Sequence, residues 1–271
     1  MRRGGFSVEI IATGDEILFG RILDTNSNWM ARRLADLGAH LRRVTCVGDE
    51  VDEIAAALGE AMGRGSRLIL FTGGLGPSED DMTVDAIGAA VGRGVVLDPS
   101  GIERIRRSYS ERHMEFSDRA ARMARVVEGS KPLANPVGLS TGMMLEVGGS
   151  TVVTFPGIPD EMRPMFEEYV VPFVEERSGM RGAAHTLSVR MVWREFFPMY
   201  REMQRDYPDV YIKNAATPPE SEEGRRMVRE IKVDVVVEEG SMEESEARMG
   251  EVLGELRRRV GVLGGSVTVL S

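Results

Sequence analysis

The sequence predicts an α/β protein with a doubly wound, mostly parallel sheet, followed by a smaller ferredoxin-like α+β domain. In the first part of the chain, short β-rich segments alternate with amphipathic helical segments, which is typical of βαβ units with right-handed crossovers. After the linker-like SGMRG at 178–182, the pattern changes to β-α-β-β-α-β, the order of a split βαβ unit. We therefore expect one domain at residues 1–178 and a second at residues 183–271.

The first domain is expected to begin with two β-α units. Apolar periodicity predicts a strand over VEIIAT (8–13) and then a helix that ends at Gly38, a residue type common just past helix ends. A strand over LRRVTCV (41–47) and a helix over 52–65 follow. The next strand, RLILF (67–71), is apolar enough to be buried on both faces, as in a parallel sheet.

The remaining elements are predicted from composition and capping signals. Residues 98–127 are charged and predict two helices, and residues 142–155 predict two strands. A long helix should begin at Pro159, because proline suits a first helical turn. In the second domain, one helix should be interrupted near Pro198, and Ser241 with Glu244 should form a capping box for the last helix.

Composition excludes several functional classes. The formal charge of −9 argues against general nucleic-acid binding, which depends on basic patches. No apolar run approaches the length of a membrane span, and no secretory signal is apparent, so we expect a cytoplasmic protein without membrane contact. The single cysteine, Cys46, excludes an intramolecular disulfide and is expected to be a small buried hydrophobic residue.

The stretch FTGGLGPSEDDMT, directly behind the apolar LILF, is the strongest candidate for a site. Glycines beyond the carboxyl end of a strand let backbone amides approach a phosphate, which makes Gly73, Gly74 and Gly76 candidate contacts. Asp80 and Asp81 would repel an anion unless a divalent cation intervened, and carboxylate oxygens suit Mg²⁺ or Mn²⁺. A tight turn followed by acidic residues at a helix N-terminus explains the same residues without a ligand.

Several motifs together resemble the competence/damage-inducible CinA-like family. The motifs are IATGDEILFGRILDTNS, VTCVGDE, FTGGLGPSEDDMT, LANPVGLSTG and FPGIPDEMRPMFEE, in that order. The similarity covers roughly residues 8–175 and implies the MoaB/Mog domain, named for molybdopterin-handling proteins. The small domain also resembles the one that follows in that family, although PPESEEGRR departs from its pattern. Full-length members continue into a nicotinamide mononucleotide deamidase domain, an activity that we do not expect of this chain.

The resemblance implies metal-dependent chemistry at a pyrophosphate. Asp81 matches an aspartate that assists this chemistry in Mog-type adenylyltransferases, and Asp49 matches a second one in a V-x-D-E element. In the CinA-like family the same domain is associated with hydrolysis of ADP-ribose. We therefore expect Asp49, Asp80 and Asp81 to hold or orient Mg²⁺, Mn²⁺ or Co²⁺, which would polarise a phosphoryl oxygen and activate water.

Other polar residues are weaker candidates. Asp15 and Glu16 are candidate catalytic carboxylates that could join the metal site, or Glu16 could cap a helix. Asn26 could bind ligand, although it is also an ordinary residue for a helix N-terminus. Thr72, which precedes the first glycine, and Glu161, at the start of the PGIPDEM helix, could face the ligand, although the favourable position of a carboxylate near a helix N-terminus also explains Glu161. The candidate contacts from turns are Asn135, Gly138, Gly142, Pro156 and Gly157, for which turn chemistry is an alternative explanation.

The sequence therefore favours a homo-oligomeric protein that takes a nucleotide or pterin pyrophosphate as its small-molecule partner. The leading function is divalent-metal-dependent hydrolysis of a nucleoside diphosphate-linked compound, with ADP-ribose as first candidate. One alternative is molybdopterin binding or cofactor assembly without hydrolysis. Another is regulatory nucleotide binding.

Overall fold

The computed structural model describes residues 6–179 and 181–270, which form two compact units. The first unit comprises residues 6–34 and 40–177, and the second comprises residues 35–39, 178–179 and 181–270. The strands up to Ser178 are β1 (Ser7–Thr13), β2 (His40–Val47), β3 (Leu68–Thr72), β4 (Val95–Leu97), β5 (Arg125–Val127), β6 (Lys131–Leu133), β7 (Gly142–Val147) and β8 (Ser150–Phe155). The helices are α1 (Asp15–Leu18), α2 (Thr25–Asp36), α3 (Val51–Gly63), α4 (Thr83–Val91), α5 (Pro99–Glu111), α6 (Asp118–Ala121), α7 (Pro159–Met165) and α8 (Val171–Ser178).

The main sheet of the first unit has the order β2-β1-β3-β8-β7-β6. Strands β2, β1, β3 and β8 are parallel, and β7 runs antiparallel between β8 and β6. The two central strands, β3 and β8, are buried along their whole length, because apolar side chains pack on both faces of a parallel sheet. The predicted α/β class with a mostly parallel sheet is confirmed.

Two local expectations for this unit were wrong, those for the end of the segment 98–127 and for Cys46, and the predicted long helix is present with one irregular turn. The end of the segment 98–127, predicted as helical, forms β5, which pairs with β4 in a small antiparallel sheet. The helix behind Pro159 begins as predicted but passes through a π-helical turn at Phe166–Val170, shortly after the internal Pro164, which lacks an N–H for the helical ladder. Cys46 is exposed, because β2 is an edge strand whose outer residues lack a covering layer.

The second unit is the predicted split βαβ domain. Its elements are β9 (Arg181–Val192), α9 (Trp193–Asp206), β10 (Tyr211–Asn214), α10 (Glu222–Arg226), β11 (Val228–Glu239), α11 (Met242–Val262) and β12 (Ser266–Val269). The sheet has the order β10-β11-β9-β12 with antiparallel neighbours. Ser241 caps α11 as predicted, accepting the backbone N–H of Glu244 at 3.2 Å. Pro198 lies within α9 without ending the helix.

A buried carboxylate anchors the first strand of the main sheet. Glu9 is 1% exposed and accepts hydrogen bonds from Arg64 Nη2 at 2.7 Å and Ser66 Oγ at 2.6 Å. Burial by itself raises the pKa of Glu9, but the hydrogen bonds and positive charge of Arg64 outweigh that effect and the pKa is lowered. The ion pair therefore stabilises the fold while Glu9 is ionised.

We expect Arg64→Met to lower the free energy of unfolding by about 3 kcal/mol at pH 7, because it leaves a buried carboxylate without its partner. The folded-state pKa of Glu9 lies below the unfolded value of about 4.3, so its stabilisation is present above that value and is lost as pH falls through the folded-state pKa. Urea denaturation between pH 7 and pH 3 should show that the difference in free energy of unfolding between wild type and Arg64→Met becomes smaller as the pH falls. The exposed Arg107→Met is the control, and a gap independent of pH would contradict the prediction.

Candidate functional site

A cleft of about 870 Å³ opens at the carboxyl ends of β1, β3 and β8 in the first unit. This is the edge at which open α/β sheets bind ligands, because the loops beyond the strands diverge there. Of the residues predicted for the site, those that line the cleft are Glu16, Asn26, Asp49, Thr72, Gly73, Gly74, Gly76, Asp80, Asp81, Gly138, Pro156, Gly157 and Glu161. Tertiary structure therefore brings together most of the residues predicted from separate motifs.

Residues 73–81, here called the glycine loop, border the cleft at this edge of the sheet. The loop requires glycine at two positions. Gly73 and Gly74 have φ angles of 108° and 65°, which L-residues rarely adopt. A Cβ atom at Gly73 would collide with the carbonyl oxygen of Thr13, and one at Gly74 would collide with Thr83 Oγ1. The loop is thus packed directly against the end of β1 and the first turn of α4.

Asp81 holds the glycine loop in its shape. Its Oδ1 accepts the backbone N–H of Gly76 and its Oδ2 accepts that of Ser78, both at 2.7 Å. On the outer side, Arg122 donates from Nε to the carbonyl oxygen of Ser78 at 3.1 Å and from Nη2 to that of Asp81 at 3.2 Å. The carboxylate of Asp81, within the loop, and the guanidinium of Arg122, outside it, therefore both stabilise the loop conformation.

These internal bonds decide which amides of the loop remain for a ligand. Gly73 donates its N–H to the carbonyl oxygen of Phe155 at 3.0 Å, and the Gly76 N–H is held by Asp81. In the part of the chain that the structure describes, the N–H groups of Gly74, Leu75 and Glu79 have no protein hydrogen-bond partner, and of these three residues Gly74 and Leu75 line the cleft. Anion contact from the loop in this conformation would therefore come from Gly74 and Leu75, and Leu75 was not among the predicted residues.

An acidic group lies across the ends of β1 and β2. The backbone N–H of Asp15 donates to Asp49 Oδ2 at 3.1 Å, so Asp15 supports Asp49 and does not itself line the cleft. Burial raises the pKa of Asp49, and the negative charges of Asp15, Glu16 and Asp80 raise it further. Asp80 is exposed, and hydrogen bonding to Ser78 lowers its pKa. These carboxylates repel one another and would be stabilised by a cation or by hydrogen-bond donors.

The residues proposed as metal ligands do not form a protein-only metal centre. Among the described residues, no group of three or more His, Cys, Asp or Glu side chains is arranged to hold an ion. Both oxygens of Asp81 already accept backbone N–H groups, and Asp49 accepts one from Asp15. A cation at Asp49, Asp80 and Asp81 would therefore need further ligands, and the divalent metal stays a prediction.

The opposite wall of the cleft contains the candidates from the later motifs. Asn135 donates from Nδ2 to Glu161 Oε2 at 2.6 Å and accepts the N–H of Gly138 at 2.8 Å. It therefore holds two lining residues in place without lining the cleft itself. Gly142 also lies outside the lining and begins β7, where a Cβ would approach the carbonyl oxygen of Thr154 to 2.5 Å. Local packing is therefore a sufficient reason for Asn135 and Gly142, whereas Gly138 and Glu161 face the cleft.

Sequence reasoning missed several residues of the cleft. Thr13 lines the cleft and shares a buried hydrogen bond of 3.1 Å with Thr83, which lies outside the lining. Asp24 caps α2 by accepting the N–H of Ser27 and also lines the cleft. Arg112 lines it from the region just after α5. The DTNS motif could have indicated Asp24, but no local pattern indicates that Arg112 lies near the strand ends.

We expect Arg122→Met to loosen the glycine loop without unfolding the domain, because it removes the two hydrogen bonds that Arg122 donates to the carbonyl oxygens of Ser78 and Asp81. Amide hydrogen exchange at Gly76 and Ser78 should become about tenfold faster, since a hydrogen bond from a charged group contributes about 1.5–3 kcal/mol. Arg119→Met is the matched control, because exposed Arg119 makes a single bond of 3.3 Å to the carbonyl oxygen of Pro77. Equal exchange in both variants would contradict the bracing role of Arg122.

A glycine loop at the carboxyl ends of parallel strands, opening on a cleft, is the arrangement in which α/β proteins commonly bind small molecules. Residues 9–176 match the family described as probable molybdopterin binding domain, and the chain belongs to that family. The predicted CinA-like relationship with its MoaB/Mog domain is also confirmed by the following similarities.

Relatives match along nearly the whole chain. A protein of Aeropyrum pernix is 38% identical over 262 residues, which cover 96% of this chain and 95% of that relative. A CinA-like protein of Dictyoglomus turgidum is 34% identical over 256 residues, which cover 93% of this chain and 59% of that relative. The crystal structure of the CinA protein of Thermoplasma acidophilum superposes with a TM-score of 0.57 at 32% identity, over 62% of this chain and 98% of that one.

No helix in the described residues has the length and apolar character needed to cross a membrane. The cytoplasmic location and the homo-oligomer stay predictions.

Proposed function

We propose that the cleft binds a phosphorylated pterin of the molybdopterin type, as a binding or cofactor-assembly module. The observation that carries this proposal is the pair of unpartnered N–H groups at Gly74 and Leu75, on a loop that Asp81 and Arg122 brace beside the cleft. Preorganised backbone amides bind phosphate oxygens without a positively charged side chain. The family match, described as a probable molybdopterin binding domain, supports the same ligand class.

The cleft also offers apolar surface for a ring system. Its lining includes four exposed apolar side chains, at Ile22, Leu23, Val137 and Ile158. Exposed side chains of this kind at a cleft are favourable for covering the faces of a planar heterocycle, because they remove apolar area from water. A pterin and a purine both satisfy this requirement, so a nucleotide is the natural comparison ligand.

The test is direct binding to the purified chain. We would titrate molybdopterin, GDP, ADP and ADP-ribose by calorimetry, once with Mg²⁺ and once with EDTA. Saturable binding of molybdopterin is the expected result, with the phosphorylated form preferred over the free pterin. Failure of molybdopterin to bind would contradict the proposal, whether or not one of the nucleotides binds.

A second candidate function is hydrolysis of a nucleoside diphosphate-linked compound such as ADP-ribose. The observation that favours it is the acidic group beside the glycine loop, in which Asp49 has a raised pKa. In this reaction water would attack one phosphorus atom of ADP-ribose and release AMP and ribose 5-phosphate. AMP release that requires Mg²⁺, Mn²⁺ or Co²⁺ and is lost in Asp49→Asn would support hydrolysis, whereas binding without turnover would contradict it.

A further inference from the structure

Asn26, in the first turn of α2, is fixed on the wall of the cleft by both hydrogens of its amide. Its Nδ2 donates to Thr72 Oγ1 and to the carbonyl oxygen of Gly157, each at 2.8 Å. These contacts join α2 to the end of β3 and to the turn after β8, so the side chain connects three walls of the cleft. Asn26 is therefore held more firmly than an ordinary helix-start residue.

The contacts also decide which way the amide group faces. The Gly157 carbonyl can only accept a hydrogen bond, so the nitrogen of Asn26 must face it. Thr72 donates its hydroxyl hydrogen to the carbonyl oxygen of Pro156 at 3.3 Å, which leaves Thr72 Oγ1 as an acceptor toward Asn26. A rotated amide would place two oxygens against each other at Gly157. The position of Asn26 Oδ1 is consequently determined.

Asn26 Oδ1 is a buried acceptor without a partner. The side chain is 6% exposed, and Oδ1 has no hydrogen-bond donor among the described residues. Buried polar atoms in folded proteins are nearly always satisfied, and an exception requires an explanation such as a bound group. Asn26 lines the cleft, but Oδ1 itself is closed to solvent in this conformation, so a ligand group supplies the missing donor only after a small movement of the cleft wall.

We propose that Asn26 Oδ1 accepts a hydrogen bond from an N–H or O–H group of the ligand, namely a ring amino group or a ribose hydroxyl. The inference rests on the proposed function, since it assumes a ligand in this cleft. Phosphate oxygens only accept, so they cannot satisfy Oδ1, whereas the Gly74 and Leu75 amides suit them. The ligand is thereby oriented, with its phosphate at the glycine loop and its donor at Asn26.

The first experiment compares ligands that differ by one donor on the wild-type protein. GDP is compared with inosine diphosphate, which lacks the ring amino group, and with 2′-deoxy-GDP, which lacks a hydroxyl. ADP is compared with purine riboside diphosphate and 2′-deoxy-ADP in the same way. We expect one deletion in a series to weaken binding about tenfold or more, and the identity of that deletion distinguishes an amino donor from a hydroxyl donor.

The second experiment uses two variants to assign the effect to Oδ1. Asn26→Leu removes the acceptor, so the affinity difference within a series should disappear, and molybdopterin should bind about tenfold more weakly. Thr72→Val removes one brace but keeps Asn26 Oδ1 and its bond to Gly157, so the difference should persist. Circular dichroism checks that both variants fold. If Asn26→Leu does not fold, the comparison of ligands on the wild-type protein alone tests the inference.

The outcomes separate this inference from the proposed function. Tight binding of parent ligands with equal affinity for every deleted derivative would overturn the role of Asn26 and leave the proposed function standing. If molybdopterin binds and the nucleotides do not, the role of Asn26 would be overturned when the wild type and the folded Asn26→Leu variant bind molybdopterin with equal affinity. Absence of binding by molybdopterin and by all nucleotides would overturn both.

Discussion

Gly74→Ala is expected to weaken ligand binding about a hundredfold, or about 2.8 kcal/mol, the size expected when hydrogen bonds to a charged phosphate are lost. Gly74 has a φ of 65°, a conformation that costs an L-residue about 1–2 kcal/mol. The new Cβ would also collide with Thr83 Oγ1, which is held by the Gly73 carbonyl oxygen at 2.9 Å. The loop must therefore shift, and the Gly74 and Leu75 amides shift with it.

The matched control for this substitution is Gly92→Ala. Gly92 has the same φ of 65° at the end of α4, but a Cβ there meets nothing within 4 Å, and Gly92 does not line the cleft. Both variants should lose stability through backbone strain, as measured by thermal unfolding, but only Gly74→Ala should lose binding, as measured by calorimetry. Equal affinity of the two variants for the ligand would show that the glycine loop is not the binding element.

Asp81→Asn is expected to weaken ligand binding about tenfold or more, and not only to slow a reaction. Each oxygen of the Asp81 carboxylate accepts one backbone N–H of the loop, from Gly76 and from Ser78. An asparagine has one acceptor, and its NH₂ group would face the other N–H donor, so one of the two amides loses its partner. Loss of a hydrogen bond to a charged group costs about 1.5–3 kcal/mol. This loss destabilises the loop conformation that binds the ligand, so the affinity falls.

Glu79→Gln provides the control for the charge. Glu79 lies in the same loop and is exposed, and its substitution removes the same single negative charge. We expect its affinity for molybdopterin or GDP to remain within about twofold of wild type at 0.15 M salt, where exposed charges are screened. If Asp81→Asn bound ligand as tightly as Glu79→Gln but lost turnover, Asp81 would act in chemistry and the loop-shaping explanation would fail.

An aspartate after a glycine-rich turn can have a structural role, a metal-binding role or a catalytic role. The sequence motif and its family resemblance suggest metal binding or catalysis for Asp81, and its position in the chain is compatible with both. The structure shows that both carboxylate oxygens are already engaged by the loop itself. A loss of activity on its substitution is therefore insufficient to assign a metal ligand, and affinity has to be measured alongside turnover.

The fold was largely predictable because its signals are local. Apolar periodicity identified the longer strands and helices of both units, and the fully apolar LILF indicated a strand covered on both faces, whereas the short strands β4, β5 and β6 were missed. The antiparallel β7 and the small β4–β5 sheet were not predicted in their pairing, because strand direction depends on which neighbour a strand meets. The exposure of Cys46 likewise follows from the edge position of β2 and from no property of its own segment.

By itself the sequence determined the two-domain α/β architecture, the family and the position of the glycine loop, because apolar periodicity and motif spacing are written along the chain. Tertiary structure decided which groups remain free to bind: it engaged the Gly73 and Gly76 amides, left those of Gly74 and Leu75 available, and fixed Asn26 with an unpartnered oxygen. The physical reason is that a hydrogen-bonding group can serve a ligand only where folding has not supplied a partner, and those partners come from distant segments.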